Sequence, residues 1–519
     1  MKRIAWALGW FVVLAAGCGG GTLGKSGAAG NGGVLDGVAN VGGPGFGGAA
    51  GRGDPGFGGD GAPPGGIGGP GGFGGGFCPP VQPPVCGPLC GNGVIDTCTM
   101  ALGAECPPDT EVEECDGAQF GTESCATRGY GSGTLTCSTV CMRDETTCSE
   151  CAPSARLVAC GPAPITFRSV MTFGIAATDN EVGLAQVDFN IDTYTDRLTF
   201  ARLDSKLALT NAVGLEDTLQ PGPLQGTSIS ATAVAPTSSG WLIAGCAGAE
   251  VFVHAVDFTG KKVSRTVVAR PDVNDLCVSG TFSIVSQPQP GGAALLMWQT
   301  YYGGAAAALI ATDPLSAGPP NLLTGVSGEL SGYPDAAWIG DAFYVAAPIT
   351  TNNNGVGYPD AISLLRVATN GTTTLVAEIL KNESPFAPAF ASGAADMRLV
   401  YSGIARAGAN YAVLWRRLGS GGALLTPAVP VVDDPNFPGR ADAVAFGDDT
   451  VILVSSFNST QLAITRLDKD GKVVTPVQDV ARAPFYGLSQ FEMARRGPEV
   501  VVGWLRASGE RMMLARVTP

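Results

Sequence analysis

Histidine is almost absent from this sequence: His254 is the only one among 519 residues. This excludes metal sites built from several histidines, and any Ser-His or Cys-His mechanism would depend on His254 alone. Charged residues are also scarce, at 15%, and 31 basic residues stand against 45 acidic ones. Because nucleic acids need clustered Lys and Arg, the net charge of −14 argues against a nucleic-acid partner. Neither a Gly-x-Ser-x-Gly nor a His-Glu-x-x-His motif occurs, so the sequence nominates no catalytic residue.

The first 17 residues have the organisation of a signal peptide. Two basic residues precede an apolar run from Ile4 to Ala16, which is shorter than the roughly 20 residues that span a hydrocarbon core. The run ends in Leu14-Ala15-Ala16-Gly17-Cys18. This ending resembles the lipobox of bacterial lipoproteins, although Ala15 stands where that motif most often has Leu. The alternative is an ordinary signal peptide followed by a cysteine that is there by chance.

The lipobox resemblance implies cleavage before Cys18 and attachment of a lipid to its sulfur. Gly19 follows, instead of the Asp that typically retains such lipoproteins at the inner membrane, so we expect the outer membrane or the cell surface. Residues 18–77 are then so rich in glycine that they cannot bury enough apolar surface to become ordered. We interpret this low-complexity segment as a disordered tether with an end-to-end distance of roughly 40 Å.

A second apolar stretch, Gly291–Thr312, is uncharged and long enough to resemble a membrane segment in a hydropathy plot. Gln299, Tyr301 and Gly303 lie near its middle, and much of the remainder is alanine or glycine. We therefore expect two short strands joined by a turn.

Cysteines are concentrated in residues 78–152, which we interpret as a small cysteine-rich module. With those further along the chain, and without Cys18, their number is even, which in an exported protein is typical of a disulfide framework. Zinc is the alternative, because some pairs have ligand-like spacings, but no histidine lies nearby. The spacing leaves the connectivity open, although the last two candidates lie in the same repeat and are predicted to pair. The candidates are Cys78, Cys86, Cys90, Cys98, Cys106, Cys115, Cys125, Cys137, Cys141, Cys148, Cys151, Cys160, Cys246 and Cys277.

The module also resembles a known family in its turn residues. The matching segments are Cys90-Gly91-Asn92-Gly93-Val94-Ile95-Asp96, Glu113-Glu114-Cys115-Asp116-Gly117, Ser124-Cys125, Gly129-Tyr130, Gly133-Thr134-Leu135-Thr136-Cys137 and the closing Cys141, Asp144 and Cys148. They are similar to the myxobacterial cysteine-rich repeat, with an insertion that carries Cys98 and Cys106. The resemblance implies an exported surface protein and does not imply an activity. Asn92, Asp96, Glu114 and Asp116 are candidate calcium ligands, with turn formation and capping as the alternative.

Residues 153–519 repeat themselves, which predicts one repeat fold. Apolar stretches that end in Arg-Leu or an equivalent recur at positions 202, 255, 311, 366, 417, 466 and 516. Each copy but the last holds four short strand signals separated by turn residues, with almost no helical periodicity. Four strands per copy in seven copies predict an all-β fold, a seven-bladed β-propeller.

The last copy ends at Pro519 without a fourth strand signal. We expect the segment Ala155–Arg168, which precedes the first copy, to supply that strand and close the ring, since closure removes an exposed sheet edge. An open solenoid is the alternative. The arginines at equivalent positions are predicted to make contacts between blades, with an anion-binding ring as the alternative; they are Arg202, Arg366, Arg417, Arg466 and Arg516.

Two further groups of polar residues are assigned no chemistry. His254 alternates with Phe252 and Val256 along a strand, so we expect a packed or surface histidine. We expect a set of aspartates to be solvated acids of loops; they are Asp179, Asp188, Asp192, Asp196, Asp433, Asp434, Asp448 and Asp449.

Two classes of function agree with this organisation. The first is a lipid-anchored binding or adhesion scaffold, whose propeller presents a surface to a protein or a glycan. The second is a glycan hydrolase or lyase with carboxylates at the propeller axis, which requires acids that converge in the central opening next to a basic or aromatic side chain. The shortage of histidine and of activated nucleophiles favours binding and leaves enzymatic activity undecided. The sequence calls for no cofactor.

Overall fold

The computed structural model describes residues 114–519 apart from 117, 139–141, 155, 166–169, 191–192, 194, 218–227, 248–249, 270–281, 300–304, 324–328, 331–332, 351–358, 382, 392–395, 405–411, 433–439, 457–458, 485–487 and 507–511. The predicted signal peptide, the lipidation of Cys18 and the tether lie outside these residues and stay predictions. The same holds for Cys78, Cys86, Cys90, Cys98, Cys106, Asn92, Asp96, Cys141 and Cys277. Within the described residues, no helix has the length and apolar character needed to span a membrane.

The described part of the cysteine-rich module is built from two short antiparallel pairs. β1 (Ser132–Gly133) pairs with β4 (Cys148–Ser149), and β2 (Thr136–Cys137) pairs with β3 (Arg143–Asp144). Two disulfides fasten them, Cys115–Cys137 and Cys125–Cys148. So small a unit buries little apolar surface, and covalent bridges replace a large core.

Seven sheets follow, and they confirm the predicted seven-bladed propeller. The strand that precedes them is β5 (Leu157–Pro162). Blade 1 contains β6 (Val170–Ala177), β7 (Val182–Asn190), β8 (Thr195–Leu203) and β9 (Leu209–Asp217); blade 2 contains β10 (Ile229–Pro236), β11 (Gly240–Ala247), β12 (Glu250–Asp257) and β13 (Lys262–Ala269). Blade 3 contains β14 (Ser283–Ser286), β15 (Ala293–Gln299), β16 (Ala305–Thr312), β17 (Leu315–Ala317) and β18 (Asn321–Leu322); blade 4 contains β19 (Glu329–Leu330), β20 (Asp335–Ile339), β21 (Ala342–Thr350), β22 (Ala361–Val367) and β23 (Thr373–Ile379). Blade 5 contains β24 (Phe386–Phe390), β25 (Met397–Gly403), β26 (Ala412–Leu418) and β27 (Val429–Pro430); blade 6 contains β28 (Ala441–Phe446), β29 (Asp449–Ser455), β30 (Gln461–Leu467) and β31 (Val473–Arg482); blade 7 contains β32 (Leu488–Arg496), β33 (Glu499–Arg506) and β34 (Met512–Val517).

Blade 7 is completed by β5, as the missing strand signal predicted. β34 pairs antiparallel with β5, and Ala515 lies opposite Cys160 in that register. The sheet order is β32-β33-β34-β5, so the segment that precedes blade 1 is the outermost strand of blade 7. The alternative of an open solenoid is therefore wrong. The apolar stretch Gly291–Thr312 forms β15 and β16, which pair with each other, so the prediction of two strands is confirmed.

The core is divided among the junctions between blades. The buried apolar side chains of the described residues form one large cluster at each of the seven junctions, including the one between blades 7 and 1. Middle strands are therefore buried on both faces and read as continuous apolar runs, as in Val451–Val454. A buried tryptophan occupies four of the junctions: Trp241, Trp298, Trp415 and Trp504.

The cysteine-rich module is attached to the propeller at blade 6. The Ala152 N–H donates to the Val480 carbonyl at 3.0 Å, and the Arg482 N–H donates to the Glu150 carbonyl at 2.7 Å. The chain then crosses to blade 7 as β5, and a third disulfide joins Cys151 to Cys160 across this step. The bridge thus connects the outer edge of blade 6 to the strand that closes blade 7. Cys246, on β11, is also disulfide-bonded.

Candidate functional site

The arginines of the repeat bind acids of their own blade. Arg466 Nε donates to Asp449 Oδ2 at 2.7 Å, Arg516 Nη2 to Glu499 Oε1 at 2.8 Å and Arg366 Nη2 to Asp341 Oδ2 at 2.8 Å. Corresponding pairs are Arg202–Glu181 and Arg417–Asp396.

Contacts between blades are the secondary interactions of these arginines. Arg417 Nη1 donates to the Lys469 carbonyl at 3.3 Å, and Arg466 Nη1 donates to the Pro519 carbonyl at 3.4 Å. The prediction that these arginines make contacts between blades is therefore correct only for the hydrogen bonds of Arg417 and Arg466 to backbone carbonyls of the next blade. The anion ring is wrong, because an acid of the same blade neutralises each guanidinium.

His254 is fully buried at the junction of blades 1 and 2. Its Nε2 lies 2.6 Å from Glu216 Oε1 on β9, which also accepts from Arg265 Nε at 2.6 Å. Arg265 in turn binds Glu250. Burial lowers the pKa of His254, while Glu216 opposes that shift. The histidine is packed, as predicted, and its network ties two blades together.

Three acids occupy equivalent positions on the innermost strands. In each of these blades the acid lies opposite a residue of the second strand. That residue lies in turn opposite a third-strand residue that precedes the repeat arginine by two positions. The acids are Asp335, Asp442 and Glu492. The inner strands of neighbouring blades contact one another around the whole ring and so enclose a central opening. All three acids are partly exposed there. We call them the axial acids.

Each axial acid accepts a backbone N–H from the inner strand of the next blade. Asp335 Oδ2 accepts from Phe390 at 2.7 Å, and Asp442 Oδ2 accepts from Met493 at 2.6 Å. Glu492 Oε2 accepts from Ile175 at 2.8 Å, across the junction of blades 7 and 1. An innermost strand is paired on one side only, so its other N–H groups need partners. The axial acids supply three of them and link blades at the same time.

Crowding by protein atoms changes the acidity of this group. Burial raises the pKa of Asp335 to about 7, of Asp442 to about 6 and of Glu492 to about 8. The charge of Asp442 contributes to the raised values of the other two acids, and Arg440 opposes the shift at Asp442 and Glu492. Near neutral pH Glu492 is therefore mostly protonated and Asp335 partly so, and these two can donate a hydrogen bond as well as accept one, whereas Asp442 is mostly ionised and accepts.

Two residues before each axial acid stands a side chain of different chemistry: Tyr333, Arg440 and Gln490. Gln490 lies on β32, whereas Tyr333 and Arg440 immediately precede β20 and β28, so all three lie towards the end of the ring at which the inner strands begin. The Arg440 guanidinium lies 4.9 Å from the Tyr333 ring centroid and 6.0 Å from that of Phe491. Tyr333 is 40% exposed. We call Tyr333, Arg440 and Gln490 the axial mouth.

The axial mouth lies at the end of the ring that has the longer connections. Residues 218–228 connect β9 to β10 and residues 270–282 connect β13 to β14, whereas residues 447–448 suffice between β28 and β29 at the opposite end. Loops on a rigid scaffold commonly carry binding residues. The exposed Tyr333 ring and Arg440 guanidinium can stack and hydrogen-bond with a polar ligand. The half-buried Gln490 amide is already bound to the Phe173 carbonyl at 2.8 Å and to Glu492.

Several sequence-based expectations about acids are corrected. Asp188 and Asp196 were expected in solvated loops, but both lie in strands and are buried. Asp449 begins β29 and binds Arg466, so it is not a loop acid either, while Asp192, Asp433 and Asp434 lie outside the described residues. The axial acids were missed, because only the ring brings three different repeats to one opening. The sequence did contain a signal for them. Each acid precedes the arginine of its own repeat by an equivalent spacing, once insertions between the second and third strands are allowed for.

The described calcium candidates have other partners. Glu114 binds Arg143, whose Nη2 lies 3.1 Å from Glu114 Oε1, and this contact lowers the pKa of Glu114. Asp116 is buried. Among the described residues, no three His, Cys, Asp or Glu side chains are grouped so as to hold a metal ion.

The axial acids make stability depend on pH. Their pKa values are higher in the folded than in the unfolded chain, so their contribution is complete below about pH 4 and is lost as pH rises through about 6 to 8. We expect the urea midpoint to fall between pH 5 and pH 8. The triple variant Asp335→Asn, Asp442→Asn, Glu492→Gln should show a flatter profile, and a midpoint that rises over this range would contradict the assignment.

Comparison with known proteins adds little. No family model matches the sequence, and no curated protein matches it. Among solved structures, the chain is similar to the lectin of Aleuria aurantia in complex with alpha-methyl-L-fucoside (12% identity, TM-score 0.36, 62% of this chain and 98% of that one). It is also similar to the β-propeller domain of the Trilobed protease of Pyrococcus furiosus (10%, 0.40, 68% and 94%). These similarities are too weak to support any statement about a ligand; the fold rests on the strand order above.

Proposed function

We propose that this protein is an exported, lipid-anchored scaffold whose propeller binds a polar ligand at the axial mouth. The disulfides of the described residues support an oxidising, extracytoplasmic location. The observation that carries the binding role is the exposed Tyr333–Arg440 pair at this end of the ring, with the Arg440 charge close enough to act on Asp442 and Glu492. A protein or glycan partner fits this chemistry, since an aromatic face and planar hydrogen-bonding groups orient a polar ligand.

Substitutions at the axial mouth provide the test of binding. The mature chain is screened on a glycan array and against cell-surface extracts, and affinity is measured for the ligand found. We expect Tyr333→Ala and Arg440→Ala each to weaken binding by about tenfold or more, because aromatic and arginine side chains dominate binding energies. Arg366→Ala, which removes a partly exposed arginine at the opposite end, is the matched control. Equal losses in all three variants would refute a site at the mouth.

The lipid anchor is tested separately. We expect the wild-type chain to fractionate with membranes and Cys18→Ser to be released from them, since the resemblance to the lipobox places the lipid on that sulfur. Unchanged membrane association of Cys18→Ser would remove this part of the proposal and leave the binding site untouched.

The second candidate is a glycan hydrolase or lyase that uses the axial acids. It is favoured by one observation: neighbouring carboxyls with raised pKa values lie near an arginine and a tyrosine. A protonated carboxyl can serve as a general acid while a second acts as base or nucleophile. We place this reading second because each carboxyl already accepts a structural N–H bond. Glycan cleavage that disappears in Asp442→Asn, with the fold retained, would reverse the order.

A further inference from the structure

An unusual polar pair lies inside the junction of blades 7 and 1. Gln186 and Asp188 stand on β7, two residues apart and so on the same face, and both are more than nine-tenths buried. This face packs against Val501, Leu505 and Leu514 of blade 7. A buried carboxyl among aliphatic side chains needs a specific explanation.

The hydrogen bonds of the pair are incomplete in a particular way. Gln186 Nε2 donates to Asp188 Oδ1 at 3.0 Å. The two remaining oxygens, Gln186 Oε1 and Asp188 Oδ2, are buried without a partner. Thr199 lies opposite Gln186, but its hydroxyl has no partner either and so does not supply the missing donor. Both unsatisfied atoms are acceptors, and what the pair lacks is one hydrogen.

We propose that Asp188 keeps its proton in the folded protein and that its Oδ2–H donates to Gln186 Oε1. The carboxylic acid and the amide then form a cyclic pair with two hydrogen bonds, which leaves no charge in the junction. Deprotonation would place two unsatisfied acceptors beside each other among aliphatic side chains. The pair is thus a proton-dependent latch at the junction where the ring closes.

The charges around the pair agree with this assignment. Burial raises the pKa of Asp188 to about 8; the hydrogen bond from Gln186 and the charge of Arg197 oppose that shift. Arg197 is on the adjacent strand and its side chain is 56% exposed, so solvent weakens its field. The blade 7 side chains that cluster with this face of β7 are apolar, and the uncharged Gln490 of blade 7 bonds to the backbone of Phe173, which lies opposite Gln186. Glu492, whose pKa is also raised, bonds to Ile175 in the same junction, so both acids favour the closed ring in their protonated form.

The decisive variant is Asp188→Asn in the full mature chain. An asparagine amide has the shape of the protonated acid and donates permanently to Gln186 Oε1. The stabilisation by this proton is complete below about pH 4 and is lost as pH rises through about 8. Over this range the unfolding constant of the wild type increases by up to tenfold per pH unit. We therefore expect Asp188→Asn to unfold less readily than wild type at pH 8. The ratio of its unfolding constant to that of wild type should be more than tenfold smaller at pH 8 than at pH 5. The axial acids titrate in both proteins and cancel in this comparison.

A second variant and a spectroscopic measurement complete the experiment. Gln186→Glu places two carboxyls where one proton is available, so its stability should fall more steeply with pH than that of wild type. Infrared difference spectra at pH 7 should show one protonated carboxyl fewer in Asp188→Asn, whereas the exposed control Asp448→Asn should leave the band unchanged. The latch is refuted if Asp188→Asn is less stable than wild type at pH 8. Stabilisation of the wild type at pH 8 by Na⁺, K⁺ or Ca²⁺, abolished in Asp188→Asn, would also overturn it and assign a cation site instead.

Discussion

Replacing both Cys151 and Cys160 by serine is expected to lower the free energy of unfolding of the propeller by about 3 kcal/mol. The bridge closes a short loop, with nine residues of sequence separation, and cross-linking lowers the entropy of the unfolded chain. It also holds the outer edge of blade 6 to β5, and β5 completes blade 7. Loss of the bond should therefore expose the edge of β34 more often, and limited proteolysis should cut near residues 150–162 first.

The matched control is the double variant Cys115→Ser, Cys137→Ser, which removes a bridge confined to the cysteine-rich module. We expect its propeller to unfold at the same denaturant concentration as wild type. If the two double variants lose the same stability, the Cys151–Cys160 bridge has no special part in ring closure.

Glu216→Gln is expected to cost about 2–3 kcal/mol, the second largest effect. Glu216 is the common acceptor of His254 and Arg265 at the junction of blades 1 and 2. Removing one partner of a buried ion pair leaves the other uncompensated, which typically costs about 3–5 kcal/mol. The expected loss is smaller because the Arg265 side chain is 21% exposed and keeps Glu250.

Urea denaturation of Glu216→Gln and of Asp341→Asn makes the comparison. Asp341 belongs to an ion pair too, but its side chain is 80% exposed, so we expect a change below about 1 kcal/mol. The double variant Glu216→Gln, His254→Leu should regain part of the loss, because no polar ring is then left unpaired. A loss in Glu216→Gln no larger than in Asp341→Asn would show that the network does not stabilise the junction.

The repeat explains why so much of the fold could be predicted from the sequence. A strand with an apolar run that is buried on both faces needs another sheet packed against each face. Seven such strands at a steady period bury all of these faces against one another only when their sheets form a ring. The absent fourth strand signal before Pro519 also identified the strand that closes the ring, since an incomplete blade requires one. These inferences use local patterns and counting.

The polar interactions could be predicted less well. The arginines recur at a fixed strand position, but their acids come from the preceding hairpin of the same blade, at separations from 17 residues in Arg466–Asp449 to 25 in Arg366–Asp341. Asp188 and Asp196 look like loop residues because polar residues surround them in the sequence; strands β7 and β8 extend further than this composition indicates. Burial of a carboxyl depends on the blade that packs against it.

The sequence by itself determined the all-β class, the number of blades, the circular closure and the concentration of cysteines before the propeller. Strand periodicity, repeat length and residue counts are properties of the amino-acid sequence, so they can be read without knowledge of the tertiary structure. Only the tertiary structure decided that Asp335, Asp442 and Glu492 share one opening, that Tyr333 and Arg440 stand above them, and that Asp188 faces the aliphatic side of blade 7. The reason is that closing a ring brings together residues more than 150 positions apart along the chain, and their distance in space is set by the packing of whole blades.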